Sequence, residues 1–245
     1  MNKWRLWALP LSMVYATAAF ASLPVHELAS LHAQLSFEYA KAGQYGLALE
    51  SANRSLALDE HLVPAWLARA YIESSLTQDA DAERDYLQAL RLGPLSAQAN
   101  NNYGQFLCSR SRAQEAMPYL RQALLDPLYA EPHVANVNLG NCSRKLSQDE
   151  QAKDYFLAAL RHAPEYEPAL KALASLYLEQ GSVKLASYYY DRLIQYAETM
   201  GPDDLLVGVK LARMSGDRVR EARYAALLQS RYPDSKETQQ LLSGT

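Results

Sequence analysis

The sequence lacks most of the features that would place a chain in a functional class. Its 24 basic residues include no cluster of five or more and are interspersed with 27 acidic ones, so the formal net charge is only −3. That balance disfavours nucleic acid and anionic lipid as partners. None of the patterns HExxH, GxxxxGK(S/T), GxSxG or GxGxxG occurs, and the five histidines, at 26, 32, 61, 133 and 162, are scattered. Zinc-dependent proteolysis, phosphate cradling and nucleophilic-serine chemistry therefore have no sequence basis, and no catalytic residue, cofactor site or metal site is assigned. The carboxylate pairs Asp79/Asp81 and Asp203/Asp204 read as solvated helix starts that suit the helix dipole. Beyond residue 20 no apolar run is long enough to cross a membrane.

The one apolar run, Leu6 to Phe20, follows Lys3 and Arg5 and ends at Ala19-Phe20-Ala21. A basic start, a short apolar stretch and an Ala-x-Ala site describe a secretory signal peptide over residues 1–21, cleaved before Ser22. A retained N-terminal anchor is the other reading of the same run. Cleavage removes two cations and no acid, leaving 22 basic against 27 acidic residues and taking the charge from −3 to −5. The mature chain is expected outside the cytoplasm without a membrane span. No cysteine follows the cleavage site, so a bacterial lipid anchor has no attachment point there.

What the sequence does have is a ladder of small residues. Ser36, Ala70, Gly104, Gly140, Ala174 and Gly208 are spaced by 34, 34, 36, 34 and 34 residues. A second series runs in step through Ala48, Ala82, Ala116, Ala152 and Ala186, and a third through Ser55, Ala89, Ala123 and Ala159. A 34-residue period with small residues at fixed phases is the pattern of tetratricopeptide (TPR) repeats, helical hairpins that bury their apolar faces only by stacking. The expected fold is all-α, a TPR superhelix of about six helix-turn-helix repeats forming a single domain over residues 22–245. The repeats fall at about 29–62, 63–96, 97–132, 133–165, 166–200 and 201–232, the last a C-terminal cap. Helices are expected over Leu31–Ala42 and Tyr45–Ala57 in the first repeat and over Leu205–Met214 and Arg218–Arg231 in the last, with Asp203 as N-cap and a short helix near Glu237–Leu242.

Two cysteines, Cys108 and Cys142, fall near the ends of the first helices of adjacent repeats. Neighbouring helices lie roughly 8–10 Å apart, so the pair could form a disulfide in an oxidising compartment or fill the helix contact as two buried thiols. The aromatic series Tyr86, Phe156, Tyr190 and Tyr224 sits where second helices bury a large residue, and reads as core. In a TPR array the first helices line an inner groove through their positions 2, 5, 9 and 12. Those positions hold Phe37, Leu67, Tyr71, Asn101, Gln105, Asn141, Arg144, Lys171, Ser175 and Leu178, apolar at the N-terminal end and polar towards the middle. Such a groove suits an amphipathic helix or an extended peptide. On the repeat pattern alone, an adaptor for any envelope assembly fits, another secretin system or a cell-wall synthesis complex included.

Several segments outside the generic repeat positions are more specific. They are Asn100-Asn-Asn-Tyr-Gly-Gln-Phe-Leu-Cys108, Asn138-Leu-Gly-Asn-Cys142, Asp203-Asp-Leu-Leu-Val-Gly208 and Arg231-Tyr-Pro-Asp-Ser235 with Glu237. Together they resemble the type IV pilus biogenesis and stability family PilW, also called PilF, over nearly all of the mature chain. The resemblance implies a non-enzymatic, pilotin-like periplasmic protein, usually tethered to the outer membrane, whose partners are the pilus secretin PilQ and other pilus assembly proteins. It also implies that Cys108 and Cys142 are paired. Members are typically lipoproteins, and the absence of an acceptor cysteine here departs from that pattern.

Overall fold

The helices come in antiparallel pairs joined by turns of two or three residues. In the computed structural model, which describes residues 24–194 and 200–243, α1 (Val25–Lys41) pairs with α2 (Tyr45–Leu58), and α3 (Val63–Ser75) with α4 (Asp79–Leu92). Next, α5 (Ala97–Ser109) pairs with α6 (Ala113–Ala123), and α7 (Pro132–Lys145) with α8 (Asp149–His162). The last two pairs are α9 (Glu167–Glu179) with α10 (Val183–Leu193), and α11 (Pro202–Ser215) with α12 (Arg218–Arg231). A final helix, α13 (Lys236–Ser243), packs on α11 and α12. Among the described residues there is no strand, and the fold is an all-α TPR superhelix. The expected signal peptide lies outside the described residues.

Each hairpin turn solves the same chemical problem. The first helix must end and its last carbonyls must find donors. It does so through one residue in the left-handed region: Gly43, Thr77, Ser111, Ser147, Gly181 and Gly216, with φ between 59° and 75°. The following N–H then reaches back to a carbonyl in the last turn, as from Gln44 to Tyr39 (2.8 Å), Gln148 to Ser143 (2.9 Å) and Asp217 to Ala212 (2.8 Å). At Thr77, Ser111 and Ser147 a Cβ is carried in this region, which costs roughly 1–2 kcal/mol per residue. The period alone, without glycine, therefore marks the turn.

The small-residue ladder marks the crossing of the two helices. Each rung faces a residue sixteen positions later on the partner helix. A Cβ built on Gly104 would lie 2.6 Å from Leu120, one on Gly140 2.3 Å from Phe156, and one on Gly208 3.0 Å from Tyr224, with the Tyr190 hydroxyl of the preceding hairpin closer still at 2.1 Å. Ala70 and Ala174 are buried opposite Tyr86 and Tyr190. The rungs of the second and third series are fully buried as well. The aromatic series Tyr86, Phe156, Tyr190 and Tyr224 is core, as its register implies.

Several boundaries differ from the sequence reading, among them α11, which begins at Pro202 rather than Leu205. The first helix begins at Val25 rather than Leu31, because the Leu28 N–H bonds the Pro24 carbonyl (3.0 Å) and the added turn buries Ala29 beneath the Ser55 hydroxyl, which donates to the Ala29 carbonyl (2.6 Å). The N-cap of α11 is Gly201, not Asp203. The Asp204 carboxylate, three positions on, accepts the Gly201 N–H at 3.0 Å and leaves Asp203 free to pair elsewhere. The terminal helix starts at Lys236, one residue before the expected Glu237.

One buried charge cluster joins the first two repeats. Asp85, fully buried on α4, accepts from Arg69 on α3 at 2.5 and 3.2 Å, and Arg69 also donates to Asn53 on α2 (3.0 Å). Glu73, one turn along α3, is 8% exposed and stands 3.9 Å from the same guanidinium. Two carboxylates thus share one arginine. Burial first, and then the Asp85 charge, push the Glu73 carboxyl up to about 7. Its folded value lies above its unfolded one, so the folded state holds the proton more tightly. This contribution is fully present below pH 4.5 and is lost as pH rises through 7. Glu73→Gln is expected to raise the thermal midpoint at pH 8, to change it little at pH 5, and to flatten the pH dependence between, followed by circular dichroism.

Candidate protein-binding groove

The ten residues assigned to the groove fall into three groups. Phe37, Tyr71, Gln105, Asn141 and Ser175 all occupy position 9 of successive first helices and form the accessible row. Tyr71, Gln105 and Asn141 are exposed, and Phe37 and Ser175 half-buried. Val209 continues the row on α11 but is buried, where α13 packs against the same helix. Arg144 and Leu178, at position 12, are half-buried beside it.

Leu67 and Asn101 are corrections. Both occupy position 5, and both are interior, at 0% and 3% exposure. Position 5 faces the neighbouring first helix instead of the groove, which is why Ala33, Val137 and Leu205 at the same phase are buried too. Leu67 belongs to the core cluster spanning repeats two to four. Asn101 is held in the seam between α5 and α7, where its side-chain oxygen accepts from Asn138 (2.9 Å). Lys171 is the half-exposed exception at position 5. Its ammonium contacts Asp203 at 2.7 Å and Asp204 at 2.8 Å, so it ties α9 to the start of α11. Burial alone would lower its pKa, but the two aspartates outweigh that and hold it above its ordinary value.

The character of the row changes along its length. At the N-terminal end Phe37 and Tyr71 form a tilted ring pair with centroids 6.2 Å apart. In the middle, Gln105 and Asn141 are exposed amides with no intramolecular hydrogen bond among the described residues, so each presents donors and an acceptor to a ligand backbone. Further along, Arg144 pairs with Glu179 across α7 and α9. Ser175 and Leu178 then open onto a cleft of about 500 Å³ whose other wall is Leu206, Val207, Lys210 and Met214 of α11. Sequence reasoning missed that wall because the sixth repeat was expected to serve as a polar cap. The signal was present in the run Leu205-Leu206-Val207, too apolar for a cap.

Beside the row, α5 and α7 are locked together by three bonds. Cys108 and Cys142 are joined in a disulfide, with Cα atoms 5.7 Å apart. The Lys145 ammonium donates to the Cys108 carbonyl at 2.7 Å, and the Asn101–Asn138 bond lies along the same seam. The extra residues between repeats three and four leave this seam intact, because the added length is taken up before α7 begins at Pro132. No group of three or more His, Cys, Asp or Glu suited to a metal ion occurs among the described residues, and no helix there is long and apolar enough to cross a membrane.

Comparison with known proteins gives a consistent result. The tetratricopeptide repeat family model matches residues 134–166. The type IV pilus assembly protein PilF of Pseudomonas aeruginosa is 30% identical over 214 residues, covering 87% of this chain and 84% of that protein. Among solved structures, PilW, a widely conserved type IV pilus biogenesis factor, is 37% identical and superposes with a TM-score of 0.78 over 88% of this chain and 99% of that one. The structure of Pseudomonas aeruginosa PilF is 29% identical, with a TM-score of 0.79 over 90% and 99%.

The Cys108–Cys142 bond closes a sequence separation of 34 residues. Replacing both cysteines with serine is expected to lower unfolding free energy by about 3–4 kcal/mol in denaturant titration. Reductant should reproduce that loss in the unaltered protein and leave the double variant unaffected.

Proposed function

Because the chain belongs to the PilF/PilW family of type IV pilus assembly proteins, we propose that it is a non-enzymatic periplasmic scaffold for type IV pilus biogenesis. In this reading it assists assembly, outer-membrane localisation or stability of the pilus secretin PilQ, alongside other pilus assembly proteins. Residues 1–21 direct export, and the oxidising periplasm is where Cys108 and Cys142 become joined. The observation that carries the reading is the extent of the relationship. It spans 87% of this chain and 84% of PilF and is not confined to one generic hairpin.

The inner row supplies a physical means. Rings at one end and free amides in the middle suit a partner segment that seats an apolar anchor on Phe37 and Tyr71 and offers backbone to Gln105 and Asn141. A row on rigid helices loses little entropy on binding, so few contacts are needed to hold a partner. No step of such a role asks for a nucleophile or a proton donor.

Deletion of the gene is expected to deplete heat-resistant secretin multimers on gels and surface pili by electron microscopy, with both restored by the unaltered gene. Normal multimers together with normal piliation would sink the proposal.

A further inference from the structure

On the second helices, away from the inner row, lies a larger and chemically different cleft. It opens between α4 and α6, both of which pack onto α5, and measures about 980 Å³. Its apolar lining is Ala80, Leu87, Leu90, Pro94 and Tyr119. Leu87 is 39% exposed, and Leu95, next in sequence to Pro94, is 75% exposed. The lining runs along α4 from Ala80 to Arg91, about 16 Å at a helical rise. That is about three turns of a partner helix, an elongated shape that suits a chain segment better than a compact metabolite.

The polar groups around this floor are unequal. Glu83 is already satisfied, accepting from the Tyr103 hydroxyl at 2.8 Å and from Arg112 at 2.8 and 2.9 Å. Arg84 pairs with Asp81 at 2.7 Å, yet its side chain remains 64% exposed. Arg91 is exposed and makes no hydrogen bond or ion pair among the described residues. Asn100 uses its amide N–H groups on the carbonyls of Pro94 and Ser96, both at 2.9 Å, which leaves its side-chain oxygen without an intramolecular donor. Tyr119 stands edge-on to Tyr103 at 4.8 Å, with its hydroxyl uncommitted. The cleft is thus apolar with a net positive rim, on a chain whose formal charge is −3.

We propose that this cleft is a second docking site, taking an acidic amphipathic segment of a partner protein that lies along α4 with leucine or aromatic anchors on the floor and a carboxylate on Arg91. The charge arrangement selects the partner. An acidic segment is repelled by most of the negatively charged surface and drawn to this apolar stretch, where an unpaired guanidinium waits. A basic amphipathic segment would set its cations against Arg84 and Arg91. The site is independent of the inner row, so the two can be occupied together, and the scaffold can hold two proteins at once.

The test is selection of a phage-displayed library of 16-residue peptides on the intact exported protein, followed by fluorescence anisotropy of the enriched peptides. Peptides with two or more Leu or Phe at helical spacing and a flanking Asp or Glu are expected. Leu87→Glu and Arg91→Glu should each weaken them at least tenfold, and Gln105→Glu should not. Changing the peptide's acidic residue to Lys should restore binding to Arg91→Glu. Arg91 makes no intramolecular bond, so its variant carries the test even if Leu87→Glu lowers stability. Enriched peptides indifferent to both substitutions, or no enrichment at all, would overturn the proposal.

Discussion

The structure depends on how closely two helices can cross when one of them carries no side chain at the crossing. At Gly140 the space a methyl group would take is filled by Phe156 of the partner helix, and at Gly208 it is crowded by Tyr224 of the partner helix and by Tyr190 of the preceding hairpin. Because one helix gives up volume, the other can bring a large side chain into the same place, and the hairpin buries a ring where it would otherwise bury only backbone. The pairing repeats down the chain with the period of the ladder. Everything functional is positioned by that spacing. The first helices are held as a row, and position 9 is left accessible on the first five of them, most openly at Tyr71, Gln105 and Asn141.

The middle of the array is more heavily tied than its ends. Between α5 and α7 a covalent bond, an amide pair and a lysine–carbonyl bond act on one seam, next to the exposed amides of Gln105 and Asn141. Rigidity there has a direct consequence for recognition, since a surface that is already ordered gives up little entropy when a partner arrives. Towards the C-terminus the connections are ionic instead. Lys171 bridges to Asp203 and Asp204, and Arg144 to Glu179. Partly exposed ion pairs of this kind are weak and sensitive to salt.

Much of this could be read from the sequence, because repetition turns a weak local signal into a strong one. The helix count, the hairpin register, the core aromatics and the proximity of the two cysteines all follow from the 34-residue period. The groove was harder, because a generic position list does not know how far neighbouring first helices overlap. Leu67 and Asn101 were misplaced for that reason: their position lies in the seam between helices, and polarity alone did not reveal that Asn101 has a partner in Asn138. Turns without glycine, such as that at Ser147, were legible only through the period, since the residue itself argues against a left-handed conformation. The segments that departed from the generic pattern were the ones that carried the family, which is where selection on partners would act.

In the proposed role, the accessible row on the first helices is where the scaffold meets the pilus secretin. The most direct measurement is site-specific photocrosslinking in piliated cells, with a photoreactive residue placed at Gln105 and, separately, at the exposed outer position Arg161. A crosslink to the secretin is expected from position 105 and none from 161. Crosslinks from 161 with none from 105 would contradict that role.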